Sequence, residues 1–267
     1  MKKRHLLAAM VAMSVTASAS WAQQQVLRIG FFLGPYADQF KRGVQPYLES
    51  QGIKVQATEF SNIIQLNSAL MDGALDANVF QNRAFMDTFN TQQKARLVEV
   101  LQVPSAPLGI YSTKHKDLKS LPNGARISVP NDPTSLGRAL AFLQSQGLIT
   151  LDPAATPGRA TEKNVTGNPK NLQLVLIDAP QMPRTLSEMD ASAILGNHVI
   201  AAGMALSSAL VLEDPAPQYR IILVARDDVA KSDLMAKLVT GYKSAEYRRF
   251  VETDPKAKGF SRPEYWR

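Results

Sequence analysis

Short apolar runs alternate with amphipathic stretches along the first third of the chain. The runs at 26–32, 53–60 and 75–80 have the length and the flanking turn residues of buried β-strands. Between them, apolar residues recur at helical spacing over 40–48 and 64–70. This order of elements predicts a βαβαβ unit with parallel strands and right-handed crossovers.

The same order returns in the second half of the chain. Strand-like runs at 125–129, 172–177 and 190–195 alternate with a helical pattern over 133–146 and a shorter one near 180–188. The repetition predicts two similar α/β lobes. A ligand site is expected in a crevice at the carboxyl ends of the strands.

Two extended apolar segments, 103–113 and 218–228, connect the predicted lobes. Segments that cross between lobes can act as a hinge, because a few of their residues absorb the dihedral changes of closure. We therefore predict a first lobe formed by 23–106 together with 225–267, and a second lobe formed by 107–224.

Two other segments complete the prediction of secondary structure. The stretch 232–250 carries apolar residues on one helical face after a capping serine, Ser232, and is expected to pack on the first lobe as one helix. Residues 152–171 are rich in Pro, Gly, Thr and Asn, and this composition predicts a surface loop.

The first 22 residues have the organisation of a secretory signal peptide. Basic residues at positions 2 to 4 precede an apolar stretch, and small residues lead to Ala22, after which we expect cleavage. An uncleaved membrane anchor is the alternative. The chain contains no cysteine, so neither disulfides nor a lipid-bearing cysteine are expected. We therefore predict a soluble protein of the periplasm.

Charge and motif content argue against several classes of function. The formal net charge is +7, but the basic side chains are scattered and three of them belong to the predicted signal peptide. Nucleic acid is therefore not expected as a partner. No nucleotide-binding, serine-hydrolase or zinc-protease motif occurs, and we predict no cofactor, no metal ion and no catalytic residue.

The junction between the first strand and the first helix of the second lobe is a candidate binding site. Asp132 is suited to the N-cap of the helix and Pro133 to its first position. Arg138 shares a helix face with Thr134 and Ser135. Free amides at a helix N-terminus and a planar guanidinium both bind carboxylates, so we predict a carboxylate site. A solvated surface arginine is the alternative.

At these residues the sequence resembles the periplasmic methionine-binding proteins of the NlpA type, which are the solute receptors of methionine ABC importers. The resemblance covers essentially the whole mature chain, through VPNDPTSLGRAL, ALMDGALDANVFQN, NPKNLQLVLIDAPQMPRTL, GIYS and VARDD. It implies a two-lobed periplasmic-binding-protein fold of type II. It further implies a monomer that closes on an amino acid or a related carboxylate, docks on an ABC permease of the inner membrane, and performs no catalysis.

The resemblance also implies roles for individual residues. Arg138 would bind the ligand carboxylate, and Phe80 and Phe85 would help to wall the side-chain pocket. Phe80 on a buried strand is otherwise an ordinary core residue. The complete set of predicted ligand-binding residues is Arg138, Phe80, Gln81, Asn82, Phe85, Ser135, Asn197 and Phe60.

Several positions depart from the pattern of the family. The family usually places polar or aromatic side chains, namely His, Tyr or Asn, at the positions of Asn82, Ile63, Ala106, Ser135, Leu195 and Ile221. The loss of amide acceptors predicts methionine binding weaker than micromolar, because an α-ammonium would be buried without partners. The departures therefore favour a carboxylate with an apolar side and no free amine, such as an N-acylated or oxo relative of an amino acid.

Two other functions fit the same sequence. An exported binding module without a transporter, such as a sensor domain, would share the fold and the cleft. A small-carboxylate enzyme using the same cleft would have to rely on Asp190, His198 and Arg138, which are the only evident polar candidates for chemistry.

Overall fold

A computed structural model describes residues 25–156 and 158–266. The predicted signal peptide and its cleavage site lie outside these residues. None of the helices within these residues has the length and apolar character needed to cross a membrane.

Strands and helices alternate through most of the chain. The strands are β1 (Val26–Phe32), β2 (Lys54–Phe60), β3 (Ala77–Asn82), β4 (Leu97–Gln102), β5 (Leu108–Tyr111), β6 (Arg126–Pro130), β7 (Thr150–Leu151), β8 (Val165–Gly167), β9 (Gln173–Ile177), β10 (Ala191–Leu195), β11 (Val211–Leu212) and β12 (Ile221–Arg226). The α-helices are α1 (Pro35–Gly43), α2 (Gln45–Ser50), α3 (Ile63–Met71), α4 (Arg83–Gln93), α5 (Pro133–Ser145), α6 (Met182–Thr185), α7 (Gly196–Ala201), α8 (Asp233–Lys243) and α9 (Ala245–Thr253).

The first sheet has the strand order β2-β1-β3-β12-β4. Strand β1 pairs in parallel with β2 and with β3, which confirms the predicted βαβαβ unit. Strand β12 enters from far along the chain and runs antiparallel to β3 and β4. Because β1, β2 and β3 are parallel, their carboxyl ends meet at one edge of the sheet.

The second sheet repeats this arrangement with the order β11-β5-β10-β6-β9. Strand β6 pairs in parallel with β9 and β10, while β5 runs antiparallel to β10 and β11. The carboxyl ends of β6, β9 and β10 therefore also share one edge. The two sheets have separate cores, centred on residues such as Phe31 and Phe40 in one and Ile127 and Leu140 in the other.

The division of the chain into lobes stays a proposal, and β12 changes one of its boundaries. All of β12 belongs to the first sheet, so the predicted boundary between 224 and 225 falls inside a strand. A boundary before Ile221 leaves the strand intact. The first crossing segment is held by the C-terminal region, since Ser105 and Ser261 exchange backbone hydrogen bonds of 3.1 and 2.8 Å.

Two predictions of local structure require correction. The expected single helix over 232–250 is two helices, because Ser244 leaves the helical conformation and its hydroxyl caps α9 by accepting from the N–H of Tyr247. The expected loop at 152–171 contains β8, which pairs with β7 in a small antiparallel sheet. Periodicity alone missed both features, since a cap can interrupt an unbroken apolar face and a three-residue strand carries no pattern.

Candidate functional site

The carboxyl ends of the parallel strands from both sheets face a single cleft. Its cavity of about 390 Å³ lies between residues that directly follow β1, β2 and β3 and residues that directly follow β6, β9 and β10. This is the position expected for a ligand in open α/β sheets, because helix N-termini and loop side chains converge there.

The wall from the first sheet is mainly apolar. Phe32 ends β1, Ile63 begins α3, and Phe80 and Phe85 meet edge to face with ring centroids 5.8 Å apart. Edge-to-face packing fixes the orientation of both rings and leaves their apolar surfaces along the cleft. This wall can receive an apolar side chain of a ligand.

The two amide side chains of the same wall, Asn82 and Gln81, differ in whether they keep a hydrogen-bond donor for a ligand. The Oδ1 atom of Asn82 caps α4 by accepting from the N–H of Phe85 at 2.9 Å, and its Nδ2 group stays available to a ligand. Gln81 is buried and donates from Nε2 to Oδ1 of Asn67 at 2.7 Å and to Oδ1 of Asn78 at 3.0 Å. Because these bonds use both amide hydrogens, Gln81 lines the cleft as a fixed side chain and has no donor left for a ligand.

A buried amide cluster holds Gln81 from behind. Asn67 donates from Nδ2 to Oε1 of Gln81 at 2.9 Å, and Asn78 donates to Oδ1 of Asn67 at 2.8 Å. Asn67 and Asn78 are fully buried. Each amide therefore depends on the others, and the cluster ties α3 to β3 directly behind the apolar wall.

The wall from the second sheet is built on α5. The Oδ1 atom of Asp132 accepts from the N–H of Ser135 at 2.9 Å, and Pro133 occupies the first turn, which confirms the predicted cap. The cap narrows the expected anion site, because Pro133 has no N–H and the N–H of Ser135 is occupied, which leaves the N–H of Thr134 at the start of α5. A carboxylate on this wall would therefore be bound mainly by the guanidinium of Arg138, with the N–H of Thr134 as the backbone donor left beside it.

Arg138 lies at the cleft with 6% of its surface exposed. Its Nε atom donates to both carboxylate oxygens of Glu213, at 3.1 and 3.0 Å, and its Nη2 atom donates to Oε2. The ring of Tyr219 lies on another side, with its centroid 5.1 Å from Cζ of Arg138. The solvated-arginine alternative is therefore wrong.

His198 forms a contact between the two walls. It lies on α7, and its ring meets that of Phe32 edge to face at a centroid distance of 6.2 Å. Burial lowers the pKa of His198 below its usual value, and the negative charges of Asp178 and Asp132 oppose that shift. The side chain is thus favoured in its neutral form at neutral pH.

The structure brings most of the predicted site residues together. Those that line the cleft are Arg138, Phe80, Gln81, Asn82, Phe85, Ser135 and Asn197. Phe60 does not line it, and its half-buried side chain packs against the apolar cluster of residues from α3, α4, β4 and β12. Asp190 lies before β10, at the opposite edge of the sheet, where its carboxylate accepts from the N–H of Arg126. The polar trio considered for an enzyme is therefore not assembled.

Tyr36 is a cleft residue that the sequence analysis missed. Its hydroxyl oxygen accepts from the N–H of Ala106 at 3.1 Å, which leaves the hydroxyl hydrogen free to donate. Burial raises the pKa of Tyr36 well above its usual value, so the hydroxyl stays protonated. Its place directly after the proline that begins α1 matches that of Thr134 after Pro133 in α5, and this correspondence was the available signal.

The residues 25–156 and 158–266 contain no cluster of three or more His, Cys, Asp or Glu side chains that could hold a metal ion. The donors around the cleft are instead amides, hydroxyls, a guanidinium and an imidazole. Such groups suit an organic ligand with both charged and apolar parts.

Comparison with known proteins identifies the family of this chain. The model of the NlpA lipoprotein family matches residues 27–264. A relative described as D-methionine-binding lipoprotein MetQ from Salmonella typhi is 32% identical over 223 residues, which are 82% of this chain and 82% of that protein.

Solved structures agree with the two-lobed fold. A nutrient-binding protein from Burkholderia cenocepacia bound to methionine has a TM-score of 0.82 and 34% identity, and the match covers 89% of this chain and 99% of that one. An ABC transporter periplasmic substrate-binding protein from Coxiella burnetii has a TM-score of 0.80 and 31% identity, covering 88% and 98%. The predicted two-lobed α/β fold of a periplasmic binding protein is thus confirmed.

Proposed function

The chain belongs to the NlpA lipoprotein family, and we propose that it is an exported solute-binding protein that delivers methionine or a closely related amino acid to an ABC permease of the inner membrane. The observation that carries this proposal is Arg138, a buried guanidinium at a cleft whose opposite wall is apolar. Such a pairing suits a small molecule with a carboxylate at one end and an apolar side chain at the other.

Each part of such a ligand has a counterpart in the cleft. The carboxylate would meet the free donors of Arg138, and the side chain would lie against Phe80 and Phe85. Asn82 and Ser135 carry polar groups beside these residues. The relative from Burkholderia cenocepacia was solved bound to methionine, which supports the same class of ligand here.

The charge around the cleft favours an amino acid over the amine-free ligand expected from Leu195 and Ile221. Both of these side chains do line the cavity. However, Asp132 and Asp178 also line it, and Arg138 is already paired with Glu213. Negative charge near the site stabilises an α-ammonium and opposes a ligand with a net negative charge.

The place of action and the absence of catalysis are part of the proposal. We infer a monomer that is soluble in the periplasm after removal of the signal peptide. The relatives are named lipoproteins, whereas this chain has no cysteine to carry a lipid. A role in binding without turnover is supported by the separation of Asp190 from His198 and Arg138.

Calorimetry on protein that has been unfolded and refolded, to remove any copurified ligand, tests the proposal. Methionine should bind at one site per chain without product formation, and small-angle scattering should show compaction as the lobes close. Absence of binding to methionine and to other apolar amino acids would contradict the proposed function. Turnover of a small carboxylate would instead support the enzyme alternative.

A further inference from the structure

Glu213 is held in place next to Arg138 by the backbone of the second sheet. It directly follows β11, and its N–H donates to the carbonyl oxygen of Leu108 at 2.9 Å. The N–H of Leu108 donates in turn to Oε2 of Glu213 at 3.3 Å. Only 11% of the side chain of Glu213 is exposed. The position of this carboxylate is thus fixed by a strand and does not depend on a flexible loop.

The ion pair with Glu213 leaves some N–H donors of the Arg138 guanidinium for a ligand. A guanidinium has five N–H donors, and Glu213 receives donation from Nε and from Nη2. The Nη1 group takes no part in the contact with Glu213, and Tyr219 covers the face of the guanidinium at 5.1 Å. Arg138 therefore has one defined orientation, with its outer nitrogen atoms as the donors left for a ligand carboxylate.

We infer that Glu213 is a positioning and specificity-determining residue of the cleft, which orients Arg138 and cancels its charge so that a zwitterion binds better than an anion with the same side chain. This inference rests on the proposed function. An unpaired buried arginine would attract any carboxylate, whereas the Arg138–Glu213 pair is nearly neutral as seen from the ligand. A ligand with an ammonium group then gains from Glu213, Asp132 and Asp178, and a bare carboxylate is opposed by them.

The test compares methionine with its des-amino analogue, the same thioether acid without the ammonium group. Calorimetry gives the ratio of the two dissociation constants, in which any loss of affinity common to both ligands cancels. In Glu213→Gln the ratio should change about tenfold in favour of the des-amino acid, which should gain affinity relative to methionine. The reason is that one negative charge near the ligand has been removed. Glu213→Asp keeps the charge but shortens the side chain. It should weaken both ligands while the ratio stays within about twofold of wild type.

A matched control and a ligand-free measurement complete the design. Glu252→Gln removes the same charge from a surface pair with Arg248 and should leave the ratio unchanged. The Nε–H resonance of Arg138 in nitrogen-15 NMR should be protected from exchange in wild type and lose protection in Glu213→Gln. An unchanged ratio in Glu213→Gln, an equal shift in Glu213→Asp, or an unaffected Nε–H would overturn the inference. Failure of wild type to bind either probe would count against the proposed function, and the NMR comparison would still decide the role of Glu213.

Discussion

The two walls of the cleft differ in chemistry although similar strand-helix units build them. The wall that follows the first sheet presents Phe32, Phe80 and Phe85 together with neutral amides. Every charged side chain that lines the cleft in the described residues, namely Asp132, Arg138 and Asp178, comes from the second sheet. One lobe therefore contributes an apolar surface for the ligand side chain, and the other contributes the charged side chains.

The interactions that hold the polar side chains in place also differ between the two walls. On the first wall a buried network of Asn67, Asn78 and Gln81 fixes the polar groups, so they are ordered but neutral. On the second wall Glu213 and the cap of α5 fix the charges. A ligand with one polar and one apolar end needs both walls, so strong binding is expected only when the lobes close around it.

The largest expected effect comes from removing the charged wall. Arg138→Ala should weaken binding of methionine by about 2–5 kcal/mol, because the ligand carboxylate would be buried without its partner. Arg138→Lys should also weaken it, since a single ammonium cannot reproduce the planar fork. Calorimetry measures both, and Arg96→Ala, at a largely exposed surface pair, is the control. Unchanged affinity in both variants would remove Arg138 from the binding site.

The next largest effect is expected from the buried amide cluster behind the neutral wall. Asn67→Ala should lower the free energy of unfolding by about 2–3 kcal/mol, since Gln81 and Asn78 would lose partners while buried. Urea denaturation measures this loss. Asn123→Ala, which breaks a hydrogen bond between two exposed asparagines, should have little effect. Equal stability of the two variants would show that the buried cluster contributes nothing specific.

A smaller effect is expected from the apolar wall, which contacts the side chain of the ligand and not its charged groups. Phe85→Ala should reduce the affinity for methionine by about 1–2 kcal/mol, because apolar contact area with the ligand side chain is lost. Affinity for alanine, whose side chain is too short to use this area, should change little. An equal loss of affinity for methionine and alanine would contradict the assignment of the apolar wall to the ligand side chain.

The smallest effect concerns the contact between the walls. Burial holds the pKa of His198 below its usual value of 6.5, so the folded state binds a proton less readily than the unfolded chain. The contribution of His198 to stability is therefore complete above pH 6.5 and is lost as the pH falls through the lower folded pKa. His198→Gln should flatten this part of the stability profile in thermal unfolding. His115→Gln is the control, and a flattening of equal size there would contradict the assignment.

The sequence by itself determined the repeated strands and helices of both lobes and the expected location of the cleft, but not the break at Ser244 or the short strand β8. The strand runs, the repeated βαβ order and the cap at Asp132 depend on residues close together in the chain, so periodicity and capping chemistry suffice to predict them. Arg138 was predictable for the same reason, because its relation to Thr134 and Ser135 is set by about one turn of helix.

Only the tertiary structure decided which side chains meet across long stretches of chain. Glu213 lies 75 residues from Arg138, and Gln81 lies 14 residues from Asn67. Phe60 packs against the apolar cluster that contains Leu66 and Leu70, and the carboxylate of Asp190 accepts from the N–H of Arg126, 64 residues away in the chain. The charge balance of the cleft is the product of such contacts. The spacing of residues predicted a carboxylate-binding arginine, and the fold supplied the glutamate that limits which carboxylates it binds.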